Sequence, residues 1–168
     1  MNRRGFTLIE LLAVIVVLGL VLTISIPSIT DAYKNSKIKS EEAFLERLTQ
    51  SVDSYVKLES DKIRFNNTIN AIKTENGKNY NVTVKKGTIT INDIIESEIL
   101  SSTDFVNAGN KEVPCSTSAV VEVYKDSDFV YCYKMPINNL NCLSDNYKGK
   151  HSGEEYAINT CNWEIKQW

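Results

Sequence analysis

The residues able to do chemistry in this 168-residue chain are few, and they lie toward its two ends. Near the start, Glu10 is the single charge between Gly5 and Asp31. A carboxylate in the membrane-buried part of a helix is costly unless paired, so such a residue is a functional hypothesis by default. Toward the other end stand four cysteines, Cys115, Cys132, Cys142 and Cys161. An even number confined to one region reads as two disulfides formed in an oxidising compartment. The alternatives are free structural thiols, or a thiol metal site with the single histidine, His151. No Cys-x-x-Cys pair supports a metal site, so none is expected. Asp126 and Asp128 could suggest calcium, but the rest of a calcium loop is missing and they read as turn residues. There is no Gly-x-Ser-x-Gly elbow and no phosphate-cradling Gly-rich loop. The sequence therefore gives no catalytic residues and implies no cofactor, and Glu10 has no access to soluble substrate.

The element that must position Glu10 is apolar and long. A short basic leader with Arg3 and Arg4 ends in Gly5, and Phe6 opens a run that continues to Ile26. Leu11 to Thr30 carries no charge, about the ~20 residues a helix needs to cross a bilayer. Pro27 is expected to interrupt this helix by removing a backbone donor, which lipid tolerates when neighbours help. After Ile29 the pattern becomes amphipathic. Leu45, Leu48, Val52 and Tyr55 recur at spacings of three and four, with Phe44 and Val56 beside them. Glu41, Glu42, Glu46, Arg47 and Asp53 are expected on the other face. The pattern fades from Leu58 to Ser60. As one helix, Phe6 to Leu58 would span about 80 Å.

Gly5-Phe6-Thr7-Leu8-Ile9-Glu10, followed by an apolar helix with Gly19 and Pro27, resembles the N-terminus of type IV pilins and pseudopilins. The resemblance covers about the first thirty residues. It implies that a prepilin peptidase cuts between Gly5 and Phe6 and that the new Phe6 amine is methylated. It also implies that Glu10 pairs with the N-terminal amine of a neighbouring subunit during assembly. The residues alone make an intrachain pair equally possible, since Phe6 and Glu10 are one helical turn apart. Either way the two charges are expensive alone and favourable together in a dry environment.

Two simpler readings compete. A secretory signal peptide also has a basic start and an apolar core. Its apolar part would be shorter, would lack Glu10 and would end in a small-residue cleavage site, for which Ser25-Ile26-Pro27-Ser28 is a poor substitute. A plain membrane anchor explains the length but neither Gly5-Phe6 nor Glu10. Orientation is not set by charge, because Lys34, Lys37 and Lys39 follow the run as Arg3 and Arg4 precede it.

The remainder is polar. Net charge is −2 and mean hydropathy −0.23 even with the apolar helix included, so nothing overall favours nucleic acid. Lys62, Arg64, Lys73, Lys78, Lys85 and Lys86 make one half of the head mildly basic, which reads as a solvated face before a DNA-uptake patch. From Asp61 to Asn81 the signal is weak, with turns at Asn66-Asn67 and Asn76-Gly77. Tyr80 to Val84 is expected as a strand, Lys85-Lys86-Gly87 as a turn and Thr88 to Ile91 as its return. Asn92 is expected to cap a short helix, with Ile91, Ile94, Ile95, Ile99 and Leu100 at helical spacing. This strand-then-helix segment is similar to the heads of Gram-positive pilin-like proteins. Ala108-Gly109-Asn110 reads as a turn. Ala119 to Tyr124 and Phe129 to Met135 form a hairpin about Lys125 to Asp128. Asn138 to Gly153 is expected as polar loop, and Tyr156 to Ile165 as a last strand ending near Trp163 and Trp168.

Four cysteines allow three pairings. A turn centred between Asp126 and Ser127 places Tyr124 opposite Phe129 and Val121 opposite Cys132. Cys115 is then too far from Cys132 for the ~5.5 Å Cα separation of a disulfide. Cys115 and Cys142 flank the open ends of the hairpin, which favours that pair and leaves Cys132 for Cys161. Pro136 and the loop after it can redirect the chain, so the other pairings stay open.

The expectation is an α+β protein: leader 1–5, transmembrane or filament-core helix 6–29, amphipathic helix 30–60 and antiparallel-sheet head 61–168. The resemblance implies a structural subunit of a type IV pilus or pilus-like filament, homo- or heteropolymeric. It would sit in the cell membrane before assembly and at the cell surface afterwards. Its partners would be prepilin peptidase, other pilin subunits, and an assembly platform and ATPase. The alternatives are a pseudopilin of a secretion or DNA-uptake machine, or a membrane-tethered binding domain that never polymerises.

Overall fold

The computed structural model describes residues 7–75, 77–103, 105–107, 109 and 113–165. The leader with Gly5 and Phe6, Asn76, Ala108, Asn110 and Trp168 lie outside the described residues. The chain divides into two compact units, one ending at Lys37 and the other beginning at Ile38. Helix α1, Leu8–Leu58, contributes to both.

From Leu11 to Leu22 α1 is apolar all round, and Leu8 through Leu22 leave their large side chains exposed, Leu8 at 83% and Leu18 at 55%. The expected interruption at Pro27 does not occur: α1 continues through it. Proline removes a single backbone donor, and the helix on both sides carries the residue through.

In the second unit α1 buries one stripe: Ile38, Phe44, Leu45, Leu48, Val52, Tyr55 and Val56. Glu41 also lies in that stripe, fully buried, against the expectation that it faces outward. Its hydrogen bonds, described below, make that placement possible.

The rest of this unit is a six-stranded antiparallel sheet in the order β5-β4-β3-β2-β1-β6. Its strands are β1 Asn67–Glu75, β2 Lys78–Thr90, β3 Val120–Lys125, β4 Tyr131–Pro136, β5 Tyr156–Asn159 and β6 Trp163–Ile165. Two short helices, α2 Ile91–Glu96 and α3 Asp145–Lys150, lie in the connections. Side chains alternate between two faces. Ile89, Val121, Val123, Tyr133, Met135 and Ile158 join the α1 stripe in the main core. Ala71, Val84, Tyr124, Cys132 and Trp163 form a second, smaller cluster.

The sheet is curled. Six strands laid flat would hold β5 and β6 about 24 Å apart at ~4.8 Å per neighbour. The chain passes from the end of β5 at Asn159 to the start of β6 at Trp163, which spans at most about 14 Å. The two edges must therefore approach each other, and they do so around the second cluster.

Several sequence expectations are corrected here. The weak stretch after Asp61 contains β1, and Lys85-Lys86-Gly87 lies inside one continuous β2. Gly87 is there for close approach: a Cβ would stand 2.8 Å from Ile63 Cγ2 and 3.1 Å from the Arg64 carbonyl. Thr90, not Asn92, caps α2, and Asp93 completes a reciprocal capping box. That helix stops at Glu96, short of Ile99 and Leu100. The β3-β4 hairpin pairs Tyr124, not Val121, with Cys132, because the loop is longer than a two-residue turn. Asp126 Oδ1 accepts from the Asp128 and Val130 N–H groups at 2.9 and 2.8 Å, and Phe129 adopts φ +61° to close the loop. The polar stretch after Asn138 holds α3, capped by Ser144. The expected last strand divides into β5 and β6, on opposite edges of the sheet.

Candidate functional site

At the N-terminal end of the described chain, Glu10 turns back on its own helix. Its Oε2 accepts from the Thr7 N–H at 2.9 Å and from the Thr7 hydroxyl at 2.8 Å. The Thr7 hydroxyl in turn accepts from the Glu10 N–H at 3.4 Å. This is the reciprocal arrangement that Thr-x-x-Glu makes at a helix start, satisfying donors the helix leaves over. The spacing Thr7-Leu8-Ile9-Glu10 carried that signal, which attention to charge alone overlooks. Glu10 Oε1 makes no bond among the described residues.

Between Glu10 and Asp31 the described residues of α1 carry no charged side chain. Apart from hydroxyls such as Thr23, which bonds back to the Gly19 carbonyl at 2.9 Å, its first half presents exposed aliphatic side chains. It is long and apolar enough to cross a membrane. An exposed apolar surface of this extent marks a site of membrane or protein contact.

The head is held to its own part of α1 by a buried polar joint. Glu41 Oε1 accepts from Asn107 Nδ2 at 3.0 Å and from the Ser144 N–H at 2.7 Å, and Oε2 accepts from Ser144 Oγ at 2.7 Å. Asn107 also donates to the Cys142 carbonyl at 2.9 Å. At the next residue of α1, Glu42 pairs with Lys150 at 2.8 Å, and His151 stacks on Tyr147 with ring centroids 4.3 Å apart. The Lys150 hydrogen bond holds the Glu42 carboxyl below its usual range. Further along, Tyr133 OH donates to Asp53 at 2.7 Å, and burial followed by that hydrogen bond pushes the Tyr133 hydroxyl up.

The structure brings Cys115 to Cys142 and Cys132 to Cys161, with Cα separations of 4.8 and 5.0 Å. The first ties the segment before β3 to the one after β4. The second ties β4 to the link between β5 and β6. The described residues contain no free cysteine and no group of three or more His, Cys, Asp or Glu able to hold a metal.

No curated protein and no solved structure matches the chain. Residues 1–26 match the family model of the prokaryotic N-terminal methylation motif. The chain thus carries at its N-terminus the signature of type IV pilins and pseudopilins, joined to an exposed apolar helix.

Proposed function

We propose that this protein is a structural subunit of a type IV pilus or pilus-like filament, processed by a prepilin peptidase and polymerised through α1. The observation that carries the reading is the methylation motif at residues 1–26 running into a helix with exposed aliphatic side chains. A pilin-type signature points to a structural subunit rather than an enzyme. Cleavage falls between Gly5 and Phe6, and Phe6 is then N-methylated. The subunit waits in the membrane through residues 6–29 and moves to the cell surface on assembly. The head, from the amphipathic part of α1 to the sheet, forms the filament's outer layer.

In this reading Glu10 has two successive partners. Before assembly its carboxylate is satisfied by Thr7 of the same chain. During assembly Glu10 receives the cationic amine of a neighbouring Phe6, and charge pairing in a dry environment drives the selection. The test is Glu10→Ala in cells with the assembly platform and ATPase intact. Membrane insertion of the variant is expected to be unimpaired, because a buried carboxylate is lost, while its share in sheared surface filaments falls. Equal filament incorporation of variant and wild type would refute the pairing.

A further inference from the structure

Strand β2 outruns the strand beside it. β3 pairs with it only from Lys85 to Thr90, and past Lys125 the chain leaves β3 for the loop to β4. The Ile91 N–H donates to the Ala119 carbonyl at 3.1 Å, in line with that pairing. The odd-numbered residues of β2 therefore turn their N–H and C=O groups toward β3. The β1–β2 register runs unbroken from Lys86 to Lys78, so the alternation holds to the end of the strand. Asn79, Asn81 and Thr83 thus present backbone donors and acceptors along an open edge, with no backbone partner on that side among the described residues.

An unpaired strand edge is a template for another strand, and protected edges carry a charge, a proline or a bulge. Between Lys78 and Lys85 this edge has none of these. Its side chains divide by face. Tyr80, 49% exposed, and half-buried Val82 lie on one face. Asn79, Asn81 and Thr83 are exposed on the other.

At Thr83 the edge runs into a cleft of ≈ 360 Å³ beside the β3–β4 loop, lined also by Phe65, Lys85, Lys125 and Phe129. Phe129 is 69% exposed although its backbone is held at φ +61°, a conformation that bulky side chains avoid. Lys85 and Lys125 stand directly opposite each other across the β2–β3 pairing. Like charges so placed repel, and neither ammonium has an ion pair among the described residues. Asp126, also at the cleft, has Oδ1 committed to the Asp128 and Val130 N–H groups. Positive charge is left over on the face that carries Asn79, Asn81 and Thr83.

An added strand meets all of these features together. Its backbone takes the open edge, its apolar side chains cover Tyr80 and Val82, and its carboxylates face Lys85 and Lys125. Nucleic acid supplies the charge but no alternating row of N–H and C=O groups. A second copy of this edge would bring Lys78 and Lys85 against like charges.

We propose that the β2 edge from Asn79 to Thr83 docks an extended segment of another protein in which apolar and acidic residues alternate, added to the sheet as a further strand. The proposal rests on the head alone and stands whether or not the chain polymerises.

The test is titration of the full-length, oxidised protein in detergent with the acetylated peptide Val-Glu-Val-Glu-Val-Glu, read by calorimetry and by amide hydrogen exchange. Saturable binding is expected, with exchange slowed at Asn79, Asn81 and Thr83. The charge-reversed peptide Val-Lys-Val-Lys-Val-Lys should bind about tenfold more weakly. Asn81→Pro removes an N–H that faces the open edge, a place where a strand tolerates proline. It should cost roughly tenfold in affinity, through one lost hydrogen bond and a blocked approach. Should that variant fail to fold, Lys85→Glu, at an exposed position, decides the matter by abolishing the preference for the acidic peptide. Absence of saturable binding would overturn the proposal. So would equal affinity for the two peptides, undiminished binding by a folded Asn81→Pro, an unchanged preference in Lys85→Glu, oligothymidylate displacing the peptide, or an edge already protected from exchange by self-association.

Discussion

Replacing Glu41 by alanine tests the joint between α1 and the rest of the head. The wild-type carboxylate accepts three hydrogen bonds, two from Ser144 and one from Asn107. Hydrogen bonds to charged groups contribute about 1.5–3 kcal/mol each as measured by mutation, a figure that already contains the desolvation of the charge. The three share one side chain and are not additive. Asn107 keeps its bond to the Cys142 carbonyl, whereas the part-buried Ser144 N–H loses its acceptor. The net loss is about 3–4 kcal/mol. In a domain of this size that lowers the midpoint of thermal unfolding by ~10–15 °C. The assay is near-UV circular dichroism of the full chain in detergent with both disulfides intact. Glu41→Gln retains one acceptor and the volume, so its loss should be less than half as large. Coupling between Glu41→Ala and Ser144→Ala should reach about 1 kcal/mol in a double-mutant cycle. A midpoint shift under ~3 °C for Glu41→Ala, or additive behaviour with Ser144→Ala, would refute the joint.

Two further substitutions address the sheet. Gly87→Ala places a methyl 2.8 Å from Ile63 Cγ2 and 3.2 Å from Phe65 Cδ1, so it should destabilise by about 1–3 kcal/mol, read as a lower urea midpoint with unchanged slope. Burial raises the Glu122 carboxyl's pKa, but the Lys86 and Tyr124 hydrogen bonds and the Lys86 and Lys134 charges together outweigh that and hold it below its usual value. A depressed carboxylate stabilises the fold fully above its unfolded pKa of ~4.3, and the contribution is lost as pH falls through the lower folded value. Glu122→Gln should therefore flatten the loss of stability below about pH 4.5; an acid limb identical to wild type in urea titrations would contradict this.

The parts legible in the sequence share a strong period or a charge out of place. The α1 stripe from Phe44 to Val56 repeats every three or four residues, and all its apolar members are buried. Glu41 escapes the same reading because a periodicity argument assigns a carboxylate to solvent, and only the Ser144 and Asn107 donors explain its place. β1 is hidden because only Ala71 of its residues is fully buried, the others being Asn, Thr, Ile, Lys and Glu on partly or fully open faces. Gly87 carries two meanings in a sequence, turn or close approach, and the deciding atoms belong to Ile63 and Arg64. The split between β5 and β6 has no glycine or proline to announce it. It follows from the curl of the sheet, a tertiary property.

The central claim is that this chain is cut and modified as a filament subunit. The measurement that tests it most directly is mass spectrometry of the mature N-terminus isolated from the native cell surface. The account predicts a chain beginning at Phe6 with a methylated α-amine, and accumulation of the uncut form in a Gly5→Val variant. A mature chain beginning at Ser28 or later, or one retaining Arg3 and Arg4, would contradict it.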